Sequence, residues 1–135
     1  MNPVETVAEQ LKIKEPTTDA SGVSWFPTEN LAVRETAAVL RSAGARFITI
    51  TATELPPGQG FRLEYIWDLE GMLLGFAFLI PGRETFSIYD ITEAADWIER
   101  EVHEEFAIDF AGRACEPLLL REGSRPGVYL HEVAK

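Results

Sequence analysis

Apolar residues recur along this chain at two periods, and the switches between them outline the fold. Val4, Val7, Ala8 and Leu11 share one face of a helix. Asn2 can cap that helix, with Pro3 at its first position and Glu5 completing a capping box. Residues 14–24, KEPTTDASGVS, read as a loop. A second helix is expected to begin near Pro27–Asn30, with Val33, Ala37 and Leu40 as its apolar stripe and Gly44 as its stop. Leu31 and Val39 fall off that stripe.

The period then changes to two. In Arg46–Thr53, Phe47, Thr49 and Thr51 are expected to face one way, Ile48 and Ile50 the other. Pro56, Pro57, Gly58 and Gly60 mark a loop. In Phe61–Leu69 the residues Phe61, Leu63, Tyr65 and Trp67 alternate with Arg62, Glu64 and Asp68, Ile66 being the exception. Glu70–Gly71 can make a tight turn into Met72–Ile80, so these two strands should form a hairpin. The second of them is apolar on both faces, which predicts a central, covered position. Pro81–Gly82 makes the next turn, and Glu84–Tyr89 reads as a fourth strand.

Asp90 or Thr92 can cap a last long helix, along which Ala95, Ile98, Val102 and Phe106 lie at helical spacing with Trp97 beside them. After Phe110 the pattern turns irregular, with Leu118–Leu120 expected to anchor the tail and Val128–Val133 open between a short strand and disorder. The pattern as a whole predicts one α+β domain over residues 1–135, in the order helix, helix, four strands, helix. Its mostly antiparallel sheet of about four strands carries the helices packed on it, and the irregular tail starts near residue 111.

Composition narrows the partners. The 135 residues are 46% hydrophobic, ample for one core. The net charge is -10 and the sequence pI about 4.6, so phosphate backbones and anionic membranes are repelled and a basic protein surface is the better match. The same acidity also serves solubility. Cys115 is the one cysteine of the chain, which excludes an intrachain disulfide and a Cys-x-x-Cys metal site and fits a reducing, cytoplasmic compartment. No secretory signal is visible at the start. Met72–Ile80, the longest apolar run, is about half of what a membrane-spanning helix needs, so no direct membrane insertion is expected.

The densest chemistry lies in Asp96–Phe110, DWIEREVHEEFAIDF. Glu101, Glu104, Glu105 and His103 suggest a metal site, yet on a helix Glu101 shares a face with Glu104 and Glu105 while His103 points elsewhere. His131 is distant in sequence, and the His-Glu-x-x-His spacing is absent. These glutamates read instead as a solvated or partner-facing edge. Arg100 and Glu104 form an i,i+4 pair, worth a few tenths of a kcal/mol at most if exposed; at an interface the guanidinium would fix register. Both readings stay open. Cys115 lacks a neighbouring His–Asn arrangement, no serine sits in a Gly-x-Ser-x-Gly elbow, and Gly58-Gln59-Gly60 lacks the lysine and helix of a phosphate cradle. The residues offer no catalytic machine.

The order Trp97-Ile98-Glu99-Arg100-Glu101 resembles, without a gap, the start of the hallmark of the 30 kDa subunit family of respiratory-chain NADH:quinone oxidoreductase, Trp-(Tyr/Phe)-Glu-Arg-Glu-x-x-Asp-x-Phe-Gly-Ile-x-Phe-x-Gly-His. Glu104 stands where Asp is usual, followed by Phe106, Ala107 in place of Gly, Ile108, Phe110 and Gly112, with Arg113 in place of His. Leu118-Leu119-Leu120 resembles a later leucine-rich piece. The family includes the equivalent small subunit or domain of membrane-bound nickel–iron hydrogenases and formate hydrogenlyase-type complexes.

The resemblance implies a structural role. Such subunits bind no cofactor and no metal, and are not catalytic alone. They pack on the large hydrogenase-like (49 kDa-like) subunit and near the iron–sulfur subunits of the hydrophilic arm, peripheral to the membrane through the parent complex. Carried over by position, the implied partner-binding residues are Trp97, Glu99, Arg100, Glu101, Glu104, Phe106, Ile108, Phe110, Gly112 and Arg113. An isolated subunit can dimerise through the surface meant for its partner. Two other readings compete: a free-standing acidic protein-binding domain, and a small carboxylate-based enzyme.

Overall fold

A computed structural model describes residues 2–29 and 31–113, so Asn30, Cys115, Leu118–Leu120, Val128–Val133 and His131 lie outside the described residues. Helix α1 spans Pro3–Leu11. Asn2 accepts the Glu5 N–H at 2.8 Å and the Glu5 carboxylate accepts the Asn2 N–H at 3.3 Å, closing the expected capping box. Val7, Ala8 and Leu11 are buried.

The stretch expected as a loop instead contains β1 (Thr17–Thr18) and the start of β2 (Val23–Phe26). Strands of two and four residues are too short to show a period, and the partner of β2 lies far along the chain. Between them Asp19 organises the turn. One carboxylate oxygen accepts the N–H groups of Ser21 and Val23, and the other accepts the Trp25 indole at 2.7 Å.

Helix α2 runs Val33–Ser42, later than expected. The residues before it are held elsewhere, because the Thr28 hydroxyl donates to the Ala77 carbonyl and the Leu31 N–H to the Thr28 carbonyl. No side chain caps the start at Ala32. The end matches the expectation: Ala45 N–H bonds back to the Leu40 carbonyl and Gly44 N–H to Arg41, the paired bonds of a Schellman motif.

Three nine-residue strands form the middle of the molecule: β3 (Arg46–Glu54), β4 (Phe61–Leu69) and β5 (Met72–Ile80). The β4–β5 hairpin turns on Glu70 (φ 52) and Gly71 (φ 88), both left-handed as a two-residue turn of this kind requires. Along β4, Phe61, Leu63, Tyr65, Trp67 and Leu69 are buried, as the alternation predicts. Strict alternation fails in β3. Pairing with β4 shifts between Phe47 and Thr49, so Ile48 is the extra residue of a bulge, and Phe47 and Ile50 both turn inward.

The five-stranded sheet has the order β1-β2-β5-β4-β3, and β2 pairs with β5 in parallel. β5 is therefore central, as expected, but it is not covered on both faces. Leu74, Phe76, Phe78 and Ile80 are buried, whereas Leu79 is 69% exposed. On that outer face the Trp25 ring lies over Gly75, where a β-carbon would come within 2.5 Å of it, so only glycine admits the indole.

The expected fourth strand shortens to β6 (Glu84–Phe86) and leaves the main sheet. It pairs in parallel with β7 (Asp109–Ala111), a short strand that was not expected and that ends where the irregular tail was expected to begin. Helix α3 (Ala95–Phe106) joins the two. Its N-cap is Ala94, not Asp90 or Thr92: Asp90 is taken by Arg34, and the Thr92 N–H bonds to the Ile88 carbonyl in the turn before the helix. The class is α+β, with a mixed sheet of five strands and a separate pair. One apolar cluster unites the buried residues of the three helices with the inner sheet face. Phe26 stacks on Phe76 at 4.7 Å, Phe47 meets Trp67 edge-on at 5.2 Å, and Phe106 of α3 meets Phe61 at 5.8 Å.

Candidate functional site

Along α3 the inward face is Ala95, Glu99, Val102 and Phe106, at helical spacing. Glu99 thus occupies a place in the stripe where Ile98 was expected, and Ile98 is only half-buried. Glu99 is 0% exposed, so its side chain is not part of the surface offered to a partner. A buried carboxylate is tolerated only when its oxygens are satisfied. The Ser87 hydroxyl donates to it at 2.6 Å, the Ile88 N–H at 2.8 Å, and Arg113 approaches at 3.5 Å. Burial pushes its pKa up, against the opposing pull of Ser87, Ile88 and Arg113.

Ser87 is the hub of this arrangement. Its N–H donates to the Ala111 carbonyl, its carbonyl accepts from Arg34 at 2.6 Å, and its hydroxyl also accepts the Tyr89 N–H at 3.1 Å. Arg34 of α2 then grips both oxygens of Asp90, at 2.6 and 2.7 Å. That fork holds the Asp90 carboxyl below its usual range. The segment from Phe86 to Asp90 is therefore pinned to α2, α3 and β7 at once.

Arg113 closes the site from the other side. Its guanidinium meets Asp96 at 2.5 Å, reaches Glu99, and stacks over the Tyr89 ring at 4.8 Å. Only 10% of that side chain is exposed. The residue standing where the hallmark has His is thus an internal tie between α3, β7 and the Tyr89 loop.

The remaining motif positions divide between interior and surface. Glu104 is buried at 6% exposure, so the solvated edge expected for it is not where it sits. Ile108 and Phe110 are also buried, whereas Trp97 is 57% exposed and Gly112 lies on the surface. Arg100, Glu101, Phe106 and Arg113 are half-buried. Arg100 reaches back four residues to Asp96 at 3.5 Å, a pairing that sequence reading did not expect. Partial burial, then the charge and hydrogen bond of Glu101 and the charge of Glu104, push the Glu105 pKa up. His103 ties the last turn of α3 to the residues that follow it, its Nδ1 2.9 Å from the Ile108 carbonyl. Among the described residues, no three His, Cys, Asp or Glu side chains converge as metal ligands.

Ala107 has φ 55, and its N–H bonds to the His103 carbonyl at 2.8 Å. The backbone keeps the left-handed stop that glycine would make without strain, although a β-carbon is present. Sequence reading missed Ser87, Tyr89, Asp90, Arg34 and Asp96 as members of the site. Asp96, four residues before Arg100, carried the one local signal.

The family model described as "Respiratory-chain NADH dehydrogenase, 30 Kd subunit" matches residues 26–127. Among solved structures, a chain of the membrane-bound sulfane sulfur reductase, an archaeal respiratory membrane complex, is similar with a TM-score of 0.76 and 22% identity, covering 95% of this chain and 80% of that one. The trypsin-resistant fragment of Nqo5 is similar with a TM-score of 0.67 and 20% identity, covering 84% and 98%. No curated protein matches the sequence significantly. At these identities the structures show a shared fold, while the family match spans most of the chain, through α3 and the Glu99–Arg113 node: the chain belongs to the family of the 30 kDa subunit of the respiratory-chain NADH dehydrogenase.

Proposed function

We propose that this chain is a non-catalytic assembly subunit of a complex I-like NADH dehydrogenase or energy-converting hydrogenase, docking on the large catalytic subunit of the hydrophilic arm. The observation that carries this reading is the state of the motif's charges. Glu99 and Arg113 are consumed by contacts within the chain, which suits holding a surface in place and leaves neither side chain open to a substrate. Members of the family are subunits of respiratory complexes, and that membership supports a partner in a parent complex. The surface presented would comprise Trp97, Arg100, Glu101, Phe106 and Gly112, with Glu99, Glu104, Ile108, Phe110 and Arg113 shaping it from inside. Iron–sulfur subunits would be neighbours in the same arm, and the chain itself would hold no cofactor. Among the described residues no helix is long and apolar enough to cross a membrane, in keeping with a cytoplasmic place on the peripheral arm through the partners.

Affinity purification of the tagged full chain from its host at low salt tests the reading. Stoichiometric recovery of a large hydrogenase-like subunit is expected. Recovery of the chain without any oxidoreductase subunit would sink it.

A further inference from the structure

Tyr65 carries a hydroxyl at a position where the alternation of β4 requires only an apolar ring. Its neighbours on that inner face, Phe61, Leu63, Trp67 and Leu69, are apolar or aromatic. Phe47 and Phe78 flank the ring at 6.4 and 5.7 Å. Tyr65 is 2% exposed, and among the described residues nothing hydrogen-bonds its hydroxyl. A buried hydroxyl without a partner is costly, and protein interiors pair the large majority of them.

The run of the two elements places an acceptor above it. Phe106 of α3 rests on Phe61 of β4, with 5.8 Å between ring centres. Glu99 stands on the same inward face of α3 two turns earlier, about 10 Å back along the helix, while Tyr65 lies about 13 Å along β4 from Phe61. The offsets match, which brings Glu99 over Tyr65. Burial first, and then the negative charge of Glu99, push the Tyr65 pKa up, in keeping with that proximity. Glu99 can take one more donor. An ionised carboxylate accepts about four hydrogen bonds. Ser87 and Ile88 supply two, at 2.6 and 2.8 Å, and Arg113 a long third at 3.5 Å. A donor short of an acceptor thus faces an acceptor short of a donor.

We propose that Tyr65 is a positioning residue for Glu99, its hydroxyl joined to the carboxylate through one buried water. The structure shows no direct bond between the two groups, and polar groups just beyond direct reach are bridged in this way in protein interiors. The link ties β4, inside the main sheet, to the carboxylate that holds Ser87 and Ile88, and so joins the apolar core to the Phe86–Asp90 segment. It stands independently of the docking reading.

Carbon-13 NMR of the full chain labelled at its glutamate carboxyls tests this, with Glu99→Gln assigning the Glu99 signal. Tyr65→Phe keeps the ring and removes only the hydroxyl, and circular dichroism verifies that it folds. A hydrogen bond to the ionised carboxylate holds its titration midpoint down, so Tyr65→Phe should raise the Glu99 midpoint by about one pH unit. Ring packing alone would not move it. The charged groups around Glu99 are common to both proteins: Arg113 after β7, Arg34 of α2, and Asp96 and His103 within about a turn on α3. In the unaltered chain, NOE contacts should place a long-lived water beside the Tyr65 ring. An unmoved Glu99 midpoint in folded Tyr65→Phe would overturn the proposal. A raised midpoint with no long-lived water at the ring would overturn the bridge in favour of a direct bond. If Tyr65→Phe does not fold, the water contact in the unaltered chain decides: its presence supports the bridge and its absence overturns it.

Discussion

The β3–β4–β5 meander and the segment from β6 to Arg113 are held by different physics. The meander is an apolar object: Tyr65, Trp67, Leu74 and Phe76 are at most 2% exposed, and their aromatic neighbours meet at ring distances of about 5–6 Å. The second segment is fixed by a few directional contacts on charged groups, with Glu99 and Arg113 at the centre. Apolar burial tolerates many substitutions of similar volume, whereas a buried charge tolerates none that leaves its counterpart alone.

Truncation in the meander should have the largest effect on stability. Trp67→Ala is expected to cost about 3–5 kcal/mol, because it removes a large side chain that is 1% exposed and leaves a cavity beside Phe47. Urea unfolding measures it, and a loss under 1 kcal/mol would deny the meander its place as the mechanical centre.

Glu99→Ala should follow at about 3 kcal/mol, since it strands Ser87, Ile88 N–H and Arg113. Glu99→Gln is the sharper probe. The folded-state pKa of Glu99 is raised above its ordinary 4.5, so its protonated form favours folding. That contribution is fully present below pH 4.5 and is lost as pH rises through the folded-state value. The Gln variant should abolish this part of the pH dependence, read from unfolding midpoints between pH 4 and pH 7. Identical pH profiles for both proteins would mean that the carboxylate is no more costly folded than unfolded.

A gain, not a loss, is expected at Ala107. Replacing it by Gly relieves the left-handed strain at φ 55 and should stabilise the chain by about 1 kcal/mol, seen as a raised unfolding midpoint. Destabilisation instead would show that the Ala107 methyl packs usefully.

The smallest expected effect is at Asp19, which titrates in the sense opposite to Glu99. Hydrogen bonds from Ser21 and Trp25 lower its pKa from 3.8 to about 2. Its stabilising contribution is present above pH 3.8 and disappears as pH falls through about 2. Asp19→Asn should shift Trp25 fluorescence and lower the unfolding midpoint slightly at neutral pH, where the contribution is fully present. A large global loss would make β1–β2 part of the meander's cooperative unit.

Legibility follows the same division. The β4–β5 hairpin could be read from Phe61 to Ile80 because its period, turn and partners are all local. The β3 bulge escaped notice because an inserted Ile48 reads as one more alternating residue until its pairing with β4 is seen. Strand β2 escaped for a related reason: Val23–Phe26 is four residues long and pairs with Leu73–Phe76, some fifty residues away. At the site, α3 and its motif were visible, but Glu99 looked like part of a charged flank. What turns it inward is Ser87 and Ile88, twelve and eleven residues upstream, and no periodicity encodes that.

By itself, then, the sequence determined the α+β class, the α1 capping box, the Gly44 stop, the central hairpin and the family, all of which depend on contacts a few residues apart or on a contiguous string. Tertiary structure alone decided which charges are interior, that β6 leaves the main sheet to pair with β7, and that Arg113 ties Tyr89 to α3. The physical reason is distance along the chain. A carboxylate's cost and a cation's partner are set by whatever the fold brings within about 3–4 Å, and that is known only once the chain has closed on itself.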